Sequence, residues 1–202
     1  MELIDKTLVE YINDVDSPLP SPGGGSVAAL VGALGVSLGR MAAHLSVEKK
    51  KFKESTTRKK NRFILGFKEL VFFKDELIHG VDADALSYNA VIEAYKQKDK
   101  EAIQNALTTS AFVALEMQEH SYKALQNIYL LIELANKNLL SDLMAGAILV
   151  ESCCEIASFN VKANANLLDD LDRKEKYLSD SAMYVKESLK LKNKIINTIN
   201  KL

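Results

Sequence analysis

Three groups of residues in this 202-residue chain combine side chains and spacing that can do chemistry. The first centres on an aspartate. Asp84 shares a helical face with Tyr88, Val91 and Tyr95, at spacings of four, three and four, and that face is otherwise apolar. Desolvation at the edge of a buried stripe raises a carboxyl pKa and readies the group for proton transfer. A plainer role also fits: Asp82 as helix N-cap, with both aspartates complementing the dipole of a first turn. The second group is Pro22 followed by Gly23, Gly24, Gly25 and Ser26, leading straight into an apolar helix. Glycines let the backbone approach a ligand closely, and a helix N-terminus offers unpaired N–H groups to an anion. The third group is a set of asparagines on apolar helices. Asn160 lies on a stripe with Asp142, Gly146, Leu149, Cys153 and Ile156, and Asn164 lies beside it. An unsatisfied buried amide costs ~1–3 kcal/mol, so each needs partners, from the backbone or from a ligand.

Other chemistries lack their residues. His44, His79 and His120 are far apart, and no HxxxH or CxxC spacing exists to hold a metal. No G-x-S-x-G elbow occurs, and the glycine block lacks the Lys-Ser/Thr of a phosphate loop. A formal charge of −1 argues against nucleic acid as the main partner. The run from Lys49 to Arg62 is basic, with eight Lys or Arg against one Glu. It reads either as a solvated helix junction or as a docking patch for an anionic tail.

The elements that must position these residues are all helical. No stretch alternates with strand period, and all three prolines fall before residue 23. Periodicity predicts helices over 2–13, 26–50, 55–79 (ended by Gly80), 82–96, 100–135 with a bend, 142–168, and from 172 onward. Residues 136–141 read as a turn. The expected fold is a single all-α domain, 1–202, a bundle of about seven or eight helices. Ala28, Gly32, Gly35 and Gly39 form a small-residue face that admits another helix or a flat ligand. The glycine helix and 142–168 are apolar on more than one face and must be enclosed, which predicts a homodimer. Adjacent Cys153 and Cys154 read as buried free thiols of a reducing compartment. The N-terminus has no signal-like core, and the apolar run after Gly25 stops at Arg40, short of the ~20 residues that span a bilayer. A cytoplasmic protein without membrane contact is expected.

The motifs SPLPSPGGGSVAALVGALG (17–35), EKKKF (48–52), DADALSYNAVIEAYK (82–96), ANKNLLSD (135–142) and NVKAN (160–164) carry a resemblance across nearly the whole chain. Together they resemble the formiminotetrahydrofolate cyclodeaminase and methenyltetrahydrofolate cyclohydrolase family. Three positions depart from that pattern: Ala135 replaces a usual Gly, Ala114 a common Pro, and a Leu-Pro after Lys96 is missing. The resemblance implies a homodimeric folate enzyme with no cofactor beyond its tetrahydrofolate substrate. One implied reaction closes a formimino group to the methenyl bridge with loss of ammonia; the alternative opens the methenyl bridge with water. A non-catalytic helical interaction module is the competing class. Within the resemblance, Asp84 is the proton-transfer group, and Asn136, Asn138 and Asp142 contact the pterin. Asn160 and Asn164 offer partners to its amide and amino edge. Gly23, Gly24, Gly25 and Ser26, with Lys49, Lys50 and Lys51, hold the carboxylate end of the folate. Asp142 and Asn160 are 18 residues apart, ~27 Å on a continuous helix. They therefore serve opposite ends of a long ligand, or different sites in a dimer.

Overall fold

A computed structural model describes residues 2–202. Among them are seven α-helices and no strand: α1 (Leu8–Val15), α2 (Gly24–Val47), α3 (Lys50–Lys53), α4 (Thr57–Gln97), α5 (Lys100–Leu131), α6 (Leu140–Ala165) and α7 (Leu171–Ile199). Short 3-10 turns occupy Leu3–Asp5, Ile132–Leu134 and Lys137–Leu139. Helix α2 lies between α4 and α6, α5 packs against both of those, and α7 covers α5 and α6. The small residues of α2 explain its central place. A Cβ on Gly35 would stand 2.7 Å from the Gly146 carbonyl, and one on Gly146 the same distance from the Gly35 carbonyl. A Cβ on Gly32 would meet the Cys153 sulfur at 2.9 Å. The small-residue face is thus taken by α6, and no flat ligand fits there.

Three sequence expectations need correction. Gly80 does not end a helix: α4 runs unbroken for 41 residues. Gly80 has no positive φ, and a Cβ there would touch Ala29 at 3.3 Å and the Met117 sulfur at 3.4 Å. Its size serves a crossing with α2 and α5. Asp82 is consequently not an N-cap. Mid-helix, its carboxylate accepts the Leu3 N–H at 2.6 Å and the Ile4 N–H at 3.3 Å, tying the N-terminal segment to α4. Helix α5 is not interrupted before Leu131, where it tightens into the 3-10 turn. By length and composition α2 is apolar enough to cross a membrane, but 56% of its most apolar window is buried inside the bundle.

Candidate active site

The N-terminus of α2 meets α4, α5 and α6 around a cleft of about 310 Å³. Its walls include Gly23, Gly24, Gly25, Asp84, Tyr88, Ser110, Asn160 and Asn164. The glycine at 25 is obligatory, because a Cβ there would overlap the Asp84 carboxylate and the Asn160 amide. No side chain of α2 caps its own first turn. The cap comes from α4 instead: Asp84 accepts the Ser26 N–H and, at 3.1 Å, the Asn160 Nδ2. Burial pushes the Asp84 carboxyl above its ordinary pKa, and these two donors pull part of the way back. A carboxyl so placed holds its proton to higher pH than an exposed aspartate does, which suits it to proton transfer.

The surrounding polar groups form a chain. Asn164 Nδ2 donates to Ser110 Oγ at 3.1 Å and to the Asn160 carbonyl at 3.0 Å. Ser87 Oγ lies 3.3 Å from Ser110 Oγ and donates to the Asp84 carbonyl at 2.9 Å. Ser26 uses its hydroxyl inside the fold, donating to the Val81 carbonyl at 2.6 Å and accepting from Tyr11 at 3.3 Å. Its side chain is buried and unavailable to a ligand, and its N–H is spent on Asp84. The anion at this helix entrance is the protein's own carboxylate.

Of the residues singled out from sequence, Gly23, Gly24, Gly25, Ser26, Asp84, Asn160 and Asn164 come together here. The others gather at the opposite end of α2. Lys49 precedes α3, which carries Lys50 and Lys51, and Lys51 Nζ donates to the Ala135 carbonyl at 3.4 Å. Asn136 donates its N–H to Ser46 Oγ at 2.9 Å and caps its own 3-10 turn by accepting the Asn138 N–H. Asp142 sits in the first turn of α6. The 20 residues from Ser26 to Ser46 amount to ~30 Å of helix. The glycine block and the lysines of one chain therefore cannot hold the same carboxylate. Ser110 was not legible in sequence; nothing in its own helix sets it apart, and only the approach of α6 gives it a role.

A larger groove of about 630 Å³ separates α5 from α7. Two of its carboxylates are already paired, Asp170 with Arg173 and Asp180 with Lys176. The Asp84 cleft joins a desolvated acid to a preset amide network, and this makes it the stronger candidate.

Comparison with known proteins follows the same line. The sequence profile of the formiminotransferase-cyclodeaminase family matches residues 7–182. The chain belongs to this family. The mouse formimidoyltransferase-cyclodeaminase is 32% identical over 185 residues, which cover 86% of this chain and 33% of the mouse protein. The chain thus spans about a third of that relative. A methenyltetrahydrofolate cyclohydrolase from Methylorubrum extorquens is 28% identical, with 96% of each chain covered. The fold matches a crystal structure of formiminotetrahydrofolate cyclodeaminase from Thermotoga maritima with a TM-score of 0.90 at 22% identity, over 99% of this chain and 98% of that one.

Proposed function

We propose that this protein is a folate one-carbon enzyme, acting as a formiminotetrahydrofolate cyclodeaminase. The observation that carries the reading is Asp84: a carboxyl raised by burial, capping a helix and paired with Asn160, at the wall of a cleft. In the reaction, the anilino nitrogen attacks the carbon of the protonated, amidinium form of the formimino group and forms a tetrahedral centre. Asp84 as carboxylate takes the proton from that nitrogen and returns it to the departing amine, which leaves as ammonia. The ring closes as the methenyl cation, whose charge the regenerated carboxylate offsets. The carbon keeps its oxidation level, so the reading requires no redox group, and the tetrahydrofolate substrate is the only cofactor invoked. Asn160 and Asn164 serve as positioning groups for the pterin edge. The cleft volume lies at the low end of the ~300–1,000 Å³ of small-molecule sites and suits a flat bicycle with its tail outside.

A second reading, methenyltetrahydrofolate cyclohydrolase, is favoured by the relative that matches this chain end to end. There Asp84 would activate water against the methenyl carbon. Both folates supplied to purified protein separate the two: cyclodeamination releases ammonia, and cyclohydrolysis bleaches the methenyl chromophore without it. Neither signal, with no melting shift on folate addition, would return the chain to the class of interaction modules.

A homodimer belongs to the same proposal. The chain exposes 10822 Å² of surface, against ~9,400 Å² for a compact monomer of 22.4 kDa. The excess exceeds the ~800 Å² that each partner buries in a standard interface. Apolar side chains on the outward faces of α2 and α6 offer part of such an interface: Leu34, Leu45, Ile148 and Phe159 are 46–57% exposed. A cytoplasmic setting is also proposed, supported by two free buried thiols whose pKa values burial pushes up to about 12 and about 11.

A further inference from the structure

We propose that Asn164 meets the substrate as a hydrogen-bond acceptor alone, and that Ser110 is the positioning residue that makes it so. A ligand in the cleft must then turn a donor edge towards α6, which for a pterin is the 2-amino group with the adjacent ring N–H. The inference deepens the folate reading above and rests on it.

Two backbone carbonyls fix the sense of every bond in the chain of polar groups beside Asp84. A carbonyl oxygen can only accept. The atom of Asn164 that lies 3.0 Å from the Asn160 carbonyl is therefore its Nδ2, and the same nitrogen reaches Ser110 Oγ at 3.1 Å. Both amide hydrogens are spent on these bonds. Ser87 Oγ stands 2.9 Å from the Asp84 carbonyl, so its single proton goes there. The 3.3 Å contact between Ser87 Oγ and Ser110 Oγ must then carry the Ser110 proton towards Ser87. With its proton engaged, Ser110 has only lone pairs to offer Asn164. Donation runs one way, from Asn164 through Ser110 and Ser87 to the α4 backbone. Reversing the amide would set its oxygen against the Asn160 carbonyl and against a lone pair of Ser110.

The group left over is Asn164 Oδ1. No hydrogen bond within the chain reaches it among the described residues, and it is open to the cleft rather than buried without a partner. Ser87 and Ser110 are buried, so the groups that hold the amide lie behind the wall and out of solvent. The α2 wall has the reverse character. Asp84 takes the Ser26 N–H, while those of Gly24 and Gly25 find no acceptor in the chain among the described residues. The cleft thus presents donors at the glycines and an acceptor at Asn164. A 2-amino-4-oxo ring, with donors and an acceptor on neighbouring atoms, matches that polarity in one orientation.

Distance agrees with this orientation. Asn160 is bonded to Asp84, and Asn164 lies about one helical turn further on, ~6 Å along α6. That is close to the span of two fused rings. An amino edge at Asn164 therefore leaves the far ring, which carries the reacting nitrogen, beside Asp84.

Calorimetry with tetrahydrofolate and its 2-desamino-2-methyl analogue, in which a methyl replaces the amino group, tests the proposal. Wild type should bind the parent ~10–100-fold more tightly, since the methyl leaves a desolvated acceptor unpaired. Affinities within about twofold of each other overturn the proposal without any variant. Asn164→Ala should bring the ratio close to one, through loss of affinity for the parent and not for the analogue. Equal losses for both ligands overturn the assignment of Asn164. Ser110→Ala frees one Asn164 N–H and should shrink the ratio. Ser110→Thr keeps the hydroxyl and adds bulk, and it should retain the ratio even at a lower Tm. A ratio that follows Tm in these two variants overturns the positioning role of Ser110. Ammonia release by wild type without discrimination between the two ligands overturns this inference and leaves the proposed function standing. If neither ligand binds and neither folate is turned over, both fall.

Discussion

The two ends of α2 carry similar densities of polar motif and treat them in opposite ways. At the N-terminal end, Asp84 and Asn160 are drawn out of water and bonded to each other, and Asn164 is bonded to Ser110. At the C-terminal end, Lys49, Lys50 and Asn138 stand in solvent, and Asn136 caps its own turn. Desolvation gives the first end a shifted proton affinity and fixed geometry, which chemistry requires. The second end keeps most of its charge in water, which attracts and holds an anion but is screened over ~10 Å at 0.1 M salt. A motif becomes reactive through what packs around it.

The largest effect should come from Asp84→Asn. It keeps an isosteric polar tip and removes the exchangeable proton, so turnover should fall ~10²–10⁴-fold with the fold retained. Ammonia release and thermal unfolding measured on one preparation would check this. Turnover within a few-fold of wild type would leave Asp84 a helix cap and erase the contrast between the ends.

Asn160→Ala should sharpen the same contrast through pH. Losing a donor to the ionised carboxyl raises the Asp84 pKa further, so the acid limb of the rate profile should move to higher pH. Stability has a definite sign. A folded-state pKa above the unfolded one contributes stability that is fully present below the unfolded pKa and is lost as pH rises through the folded value. Wild type should therefore lose stability relative to Asp84→Asn as pH rises through that window. A Tm difference that does not vary with pH would contradict the shift.

The seam that fixes the distance between the ends should be intolerant of size. Gly35→Ala drives a methyl against the Gly146 carbonyl and should cost ~1–3 kcal/mol. Gly39→Ala meets the movable Ile128 side chain at 3.1 Å and should cost less. Denaturant unfolding that ranks them the other way would show that the α2–α6 backbones can part.

Smaller effects belong to groups outside the cleft. Asp82→Asn keeps one acceptor for Leu3 N–H, so it should cost under ~1 kcal/mol and spare turnover. Lys49, Lys50 and Lys51 changed together to Gln should move stability by no more than ~0.5 kcal/mol. Their effect should lie in binding: a larger loss of affinity for polyglutamylated than for monoglutamyl folate, with the difference shrinking as salt rises. Equal losses for both substrates would detach this end from the tail.

Much of this protein was legible in its sequence because helices write local signals. A 3.6-residue period, proline only near the start, and the absence of strand alternation fixed an all-α chain. The glycine block, Asp84, Asn160 and Asn164 stood out as polar or backbone-permissive positions on apolar helices, and they do meet. What local signals could not supply was neighbourhood. Gly80 reads as a stop, yet it is a crossing point, because only the approach of Ala29 and Met117 makes its size matter. Asp82 reads as a cap, yet it ties down residues nearly eighty positions away. Ser110 is silent until α6 brings Asn164 to it. Most of all, sequence placed the lysines and the glycine block in one site, while ~30 Å of rigid helix places them at opposite ends of one chain. Periodicity tells each helix which side to bury. Which helix it is buried against, and so which side chains share a desolvated space, is decided by the packing of the whole chain.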